Sequence, residues 1–318
     1  MTVHSKAVWG RARSFRVSGR VGSLLVALSL ALPPCGAGAA APPLDSITVQ
    51  GKKERAKIQK DVDRFVSSAV MHYWDRPLLR WNTPVCPLVA GLPREQGEFI
   101  LRRLSQVMRT AGAPLGPQTC KANFLVLVTS APEELLEKLL RKRPGMFDLH
   151  DGMGTVKHFL RTERPVRVWY NWEYGSDNAT AFATAAAITG SSSPSGAVGD
   201  YPVLPSSNSR LSYSSSRSID TAIIAVDIPR MKGVNLGQLS DYVAMVGLAE
   251  INMDKEIDNA PSVLRLFSEA GGAPAEGMSL WDQALLRSLY GTRPENVNQT
   301  SNMETQMLDS IAGHRSRD

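Results

Sequence analysis

Apolar residues recur along this chain with helical and strand periods that mark out most of its elements. A short strand is predicted at Ser46–Gln50, followed by a helix whose apolar residues Ile58, Val62, Phe65 and Ala69 follow an i, i+4, i+7, i+11 stripe with lysines opposite. The segment Trp81–Leu92 is broken by Pro84 and Pro87; Pro93 then opens a second helix with Ile100, Leu104, Val107 and Ala111 on its buried face, ended by Gly112 and Pro114. Asn123–Thr129 is a continuous apolar run of the kind a buried strand carries, and Ser130 with Glu133 predicts a capping box for a third helix.

A short helix near Thr155–Thr162 precedes the aromatic and β-branched strand Val166–Tyr174. Residues 176–218 are then dominated by Ser, Ala, Gly and Pro; 176–208 reads as a flexible insertion, with a short strand around Ser209–Tyr213. Thr221–Ile228 is the next strand, stopped by Pro229. Leu236–Leu248 is apolar on nearly every side, which predicts a central buried helix. Ala260–Phe267 reads as a short packed segment, and Ser279 with Asp282 caps a last helix. Residues after Thr292 are polar, and 296–318 is expected to be a loosely attached tail. The pattern gives an α+β fold: one domain over residues 40–295, a mixed sheet packed by about five helices and interrupted by the insertion.

The first 41 residues stand apart. They hold Lys6, Arg11, Arg13, Arg16 and Arg20 and no acid, then the apolar run Val21–Leu32 and the small-residue stretch Gly36–Ala41. This order is that of a signal peptide, with Ala37 and Ala39 at the −3 and −1 positions, so 1–39 is expected to be removed. The run spans ~18 Å of helix against ~30 Å of bilayer hydrocarbon, too short for an anchor. Cys35 sits where a lipoprotein would carry its cysteine, although Pro34 occupies a position that favours Gly, Ala or Ser. Lipidation there stays an alternative.

Of 318 residues, 36 are Lys or Arg and 30 are Asp or Glu; without the leader, 31 bases face 30 acids. The charge is uneven. Residues 51–170 carry 21 bases against 12 acids and residues 171–318 carry 10 against 17, so the halves attract each other or the basic half meets an anionic envelope partner. Cys86 and Cys120 remain after processing. With no Cys-x-x-Cys and no histidine at ligand spacing, they read as a disulfide closing a loop of about 35 residues, worth about 4 kcal/mol in the chain-entropy view.

Catalytic signatures are sparse. The mature chain has no Gly-x-Ser-x-Gly, no Ser-x-x-Lys and no His-Glu-x-x-His. His150 and His158, with Asp148 and Asp151 nearby, read as exposed residues. The run Asn252-x-Asp254-x-Glu256-x-Asp258 lacks the glycine and terminal glutamate of a calcium loop and reads as a solvated acidic loop. Tyr170, Trp172 and Tyr174 would share one face of a strand beside Arg164 and Arg167, either stacking on a ligand or packing across strands. Trp74 and Trp81 invite the same two readings. Asp241 lies inside the nearly all-apolar helix, where a carboxylate needs a partner, and an arginine is expected to supply it. By position alone, Asp241 and Glu250 are the candidate catalytic carboxylates. No metal or cofactor is called for.

The stretches Leu236–Leu248, Ala260–Val263 and Trp281–Tyr290, together with Val85–Leu92 and Cys120–Val128, resemble a family of uncharacterised exported proteins of Gram-negative bacteria. The resemblance covers most of the mature chain and implies a shared fold and an exported location. The order of strand, helix ending in Gly-Leu and later carboxyl-terminal helix is also distantly similar to metzincin zinc peptidases. Aligning Gly247 on their glycine puts Ser240, Asp241 and Ala244 where His, Glu and His would stand, so the resemblance implies a degenerate scaffold without zinc. The expected function is a non-catalytic periplasmic or secreted binding protein with an envelope ligand or protein as partner; the alternatives are a carboxylate-based envelope hydrolase and an accessory of an envelope assembly. Neither a nucleic-acid partner nor integration in a membrane is expected.

Overall fold

The structure, a computed structural model, describes residues 44–73, 76–149, 152–175, 216–268 and 276–315. The leader with Cys35, the insertion at 176–208, the strand foreseen at Ser209–Tyr213, Trp74 and His150 lie outside the described residues. Residues Asp45–Asp318 pack as one unit. Within it seven helices surround a mostly parallel five-stranded sheet, which is the α+β class expected.

The first helix, α1, is Leu44–Ala69, so the strand predicted at Ser46–Gln50 is instead its opening turns. Among the described residues no strand pairs with this short β-branched stretch, and a helix already anchored downstream extends through it at little cost per residue. The predicted stripe is the buried one: Ile58, Val62, Phe65 and Ala69 are at most 4% exposed. The broken segment that follows contributes two short strands, β1 (Leu79–Arg80) and β2 (Pro87–Ala90). Helix α2 is Arg94–Ala111, with the expected residues buried and Gly112 as its C-cap. Strand β3 is Phe124–Thr129.

Helix α3, Pro132–Lys142, starts later than the capping pattern suggested. Ala131 occupies the N-cap and Pro132 the first turn, where its fixed φ suits the helix and its missing N–H costs nothing. Ser130 is therefore outside the helix, and no side chain caps it. Helix α4 is Gly152–Arg161 and strand β4 is Val166–Gly175. Strand β5, Ser216–Asp227, begins five residues before the predicted start. Its polar opening, Ser216-Arg217-Ser218, is buried because β4 pairs with it antiparallel along its length while β1 pairs with Arg217 and Ser218. Polar composition hid this stretch among the insertion residues.

On the same edge as β1, further along β5, β3 pairs in parallel register, Phe124 opposite Ala222 through Thr129 opposite Asp227, and β2 lies beyond β3. A disulfide between Cys86 and Cys120, with Cα atoms 5.9 Å apart, ties together the chain just ahead of β2 and the approach to β3. Alternation along the strands sends Phe124, Val126, Ala222, Ile224 and Val226 into the main core, and Leu125, Ile223 and Ala225 into a smaller one with Trp169, Leu136, Val156, Phe159 and Leu160 of the α3/α4 layer.

The main core is organised by α5 (Leu236–Leu248) and completed by α6 (Leu280–Gly291) and α7 (Gln299–Arg315). Helix α7 corrects the reading of the carboxyl end as a loose tail. Its Met303, Met307, Leu308 and Ile311 are buried, Asp309 pairs with Arg55 of α1 at 2.6 Å, and Gln299 accepts a bond from the Leu78 amide at 2.7 Å. Four apolar residues among polar ones were too few to mark an amphipathic helix in the sequence, but they suffice when they fall on one face. Among the described residues, no helix is long and apolar enough to cross a membrane.

Helix α5 approaches the sheet closely at Gly247. A Cβ there would come within 2.2 Å of the Phe124 ring and 2.8 Å of Ile224 Cδ1, so only a residue without a side chain permits the approach. Gly247→Ala should therefore destabilise the fold by about 2–3 kcal/mol through overpacking, in spite of alanine's better helix propensity. Chemical denaturation checks this; an unchanged or raised midpoint would show that the helix does not sit as described.

Candidate functional site

Helix α5 is buried from Gln238 to Leu248, so every polar group on it requires a protein partner. At its amino end, Asn235 and Gln238 form a reciprocal capping box. Its carboxyl end lacks a glycine cap, and three aromatic donors, one buried and two half-buried, take over that role. Tyr170 Oη donates to the carbonyls of Val246 and Ala249, the latter at 2.9 Å; Trp81 Nε1 donates to Gly247 at 2.8 Å; Tyr290 Oη donates to Leu248 at 2.8 Å. Burial raises the hydroxyl pKa of Tyr170 and Tyr290 above the ordinary range, keeping both as donors.

One turn into α5, Asp241 is engaged as expected by an arginine, and the partner is Arg103 of α2. Nε reaches Oδ1 at 2.5 Å and Nη2 reaches Oδ2 at 2.9 Å, a two-pronged pairing, while Oδ2 also accepts the Met278 amide at 2.8 Å. The hydrogen bonds that Arg103 donates to Asp241 raise its pKa. Gly277 makes the amide contact feasible, because a Cβ there would fall 2.8 Å from Oδ2. Arg103 also donates to Gln106 Oε1 at 3.0 Å, which fixes the guanidinium on three sides.

This pair forms part of the wall of a cleft of about 890 Å³. Phe99, Arg102 and Gln106 of α2 line one side, and Gly237 of α5 and residues Glu276–Ser279 line the rest. Phe99 is 39% exposed and Arg102 is also exposed. The cap of α5 is made by neutral side chains, so the partial positive charge of its amino end at Gly237 is uncancelled by a capping carboxylate. The cleft can thus hold a negatively charged group against Arg102 and an apolar portion against Phe99 and Met278. Sequence reasoning anticipated an arginine for Asp241 without naming it, and missed Phe99, Arg102 and Glu276–Ser279. On α2, Phe99, Arg102, Arg103 and Gln106 fall three and four residues apart opposite the apolar stripe, the one signal that could have grouped them.

The other sequence candidates are dispersed. Glu250 lies beyond the far end of α5, about 10 Å of helix away from Asp241, and accepts from Arg217 Nη1 at 3.1 Å. The two carboxylates therefore answer to different arginines and do not converge on one cavity. Tyr170 is committed to α5. Trp172 packs edge-on against Tyr174 at 5.2 Å between ring centres, and its own ring lies 4.4 Å from the buried Arg217 guanidinium. Tyr174 is exposed, so the three aromatics do not make one open platform. Arg167 is on the opposite face of β4, with Trp169, while Arg164 pairs with Asp254. Trp81 is core, His158 is exposed, and Ser240 and Ala244 are buried in α5. No group of three His, Cys, Asp or Glu able to hold a metal ion occurs among the described residues.

No protein-family model, curated protein or solved structure matches this chain.

Because Tyr170 satisfies two carbonyls of a buried helix end, Tyr170→Phe should cost about 1–3 kcal/mol by stranding them. Urea unfolding measures it. A loss below about 0.5 kcal/mol would mean that those carbonyls have other partners.

Proposed function

We propose that this chain is an exported, non-catalytic binding protein of the bacterial envelope that takes an anionic, partly apolar ligand in the α2/α5 cleft. The observation that carries the reading is the grouping of Arg102, the Asp241-braced Arg103 and the amino end of α5 around a concavity that also exposes Phe99. Its volume is in the range of small-molecule sites. Bracing matters because a guanidinium already held by a carboxylate and Gln106 loses little freedom on meeting a ligand. Asp241 is spent on that bracing, with both of its oxygens taken by Arg103 and the Met278 amide.

Export is supported by the leader's order of basic, apolar and small residues and by the resemblance to exported Gram-negative proteins. The Cys86–Cys120 disulfide suits an oxidising compartment. The basic balance of residues 51–170 suits an anionic envelope component.

Short-chain lipids test the cleft without requiring a membrane. Dihexanoyl phosphatidylglycerol, titrated calorimetrically, should bind, with inorganic phosphate weaker and dihexanoyl phosphatidylcholine weaker still. Arg102→Glu should lower the affinity about tenfold or more, and Phe99→Ala about three- to tenfold. Equal binding of the two lipids, or an Arg102→Glu protein that binds as the parent does, contradicts the reading.

A further inference from the structure

A second concavity, of about 490 Å³, lies at the carboxyl ends of β3 and β5 and shares no lining residue with the α2/α5 cleft. It is walled by the first turn of α3, by Asp227 at the end of β5 and Arg230 just after it, and by Glu163 and Arg167 around the start of β4. The crevice outside the carboxyl ends of parallel strands is the place where open sheets of this kind bind ligands.

Arg167 sets this crevice apart. It is 6% exposed, its Nη1 donates to the Leu160 carbonyl, and its buried Nε has no acceptor. Arg103 pairs with Asp241, Arg217 with Glu250, and Arg230 with both Asp227 and Glu163, while the equally buried Arg80 spends its donors on the Leu289 and Thr292 carbonyls and on Asn82. Arg167 has no carboxylate within ion-pair distance among the described residues. Its desolvation is expensive, and burial lowers its pKa from the ordinary value. Beside it, α3 begins without a side-chain cap, so the amides of its first turn are also available.

These two features alone would suit a simple anion, but the rim opposes one. Glu133, Glu134 and Glu137 stand around the opening with Glu163, and the first two are exposed. They do not form a metal site, since no three-carboxylate set capable of holding an ion is present among the described residues. What fits a buried cation at the floor and carboxylates at the rim is a molecule carrying both charges. We infer that this crevice binds a small zwitterion of the α-amino acid class, its carboxylate on Arg167 and the α3 amino end, its ammonium at Glu133 and Glu134.

Calorimetric titration of the full chain with L-alanine, acetate and ethylammonium separates the contributions. L-Alanine should bind saturably and about tenfold or more tighter than either single-charge probe. Arg167→Gln should abolish that binding. Because replacing a buried residue can disturb folding, the Glu133→Gln/Glu134→Gln protein, altered only at exposed positions, provides the independent arm and should bind L-alanine about tenfold more weakly. Acetate binding as tightly as L-alanine would reduce the crevice to a plain anion site and overturn the proposal. Ethylammonium matching L-alanine would reduce it to an acidic surface with the same consequence. Absence of L-alanine binding up to about 10 mM, or binding unchanged in the glutamine protein, also overturns it.

Discussion

A helix buried from Gln238 to its carboxyl end cannot leave its last carbonyls to water, and the architecture of this protein is arranged around meeting that requirement for α5. The donors that close its carboxyl end come from three separated parts of the chain: Trp81 after β1, Tyr170 of β4 and Tyr290 of α6. Each is an aromatic that brings a large apolar body into the core together with one polar atom, so packing and satisfaction are achieved by the same residue. Gly247 sets how near the helix approaches the sheet, and its carbonyl is one of those capped. Position and hydrogen bonding are therefore coupled at the same turn.

The same logic accounts for Asp241 and for the cleft beside it. A carboxylate at 2% exposure is tolerable only because Arg103 and the Met278 amide take both of its oxygens. The pairing draws α2, α5 and the approach to α6 together at one point, and the gap left between them is the candidate ligand cleft. Structural need and binding capacity thus share a residue: the arginine that neutralises α5 is also a fixed positive wall of the cleft. At the far end, Glu250 and Arg217 play a comparable part between the end of α5 and the start of β5. The carboxylates that looked catalytic by position each hold an ion pair with an arginine, Asp241 with Arg103 and Glu250 with Arg217.

Much of this was legible in the sequence where one physical signal dominated. The all-apolar helix Leu236–Leu248 and its anomalous carboxylate, the apolar run of β3, and the stripe Ile58, Val62, Phe65, Ala69 are each set by burial, which composition reports directly. Elements determined by pairing were not legible. The buried polar opening of β5 follows from β4 and β1 on its two edges, and α7 follows from a groove that receives Met303, Met307 and Ile311. The start of α3 was decided by Pro132 over the Ser130 pattern, a local competition that propensity alone does not rank. The residues of the proposed cleft escaped for a further reason: Phe99 and Arg102 look like any exposed helix face until α5 and Glu276–Ser279 are placed against them.

The central claim, that Asp241 is a structural counter-ion that fixes Arg103, is tested most directly by a double-mutant cycle of Arg103→Met and Asp241→Asn on unfolding free energy. Each single change strands a buried or half-buried charge or a polar fork, and each should cost about 3 kcal/mol. The double variant should lose much less than the two together, giving a coupling of at least about 1.5 kcal/mol. Losses that simply add would contradict the account and free Asp241 for another role.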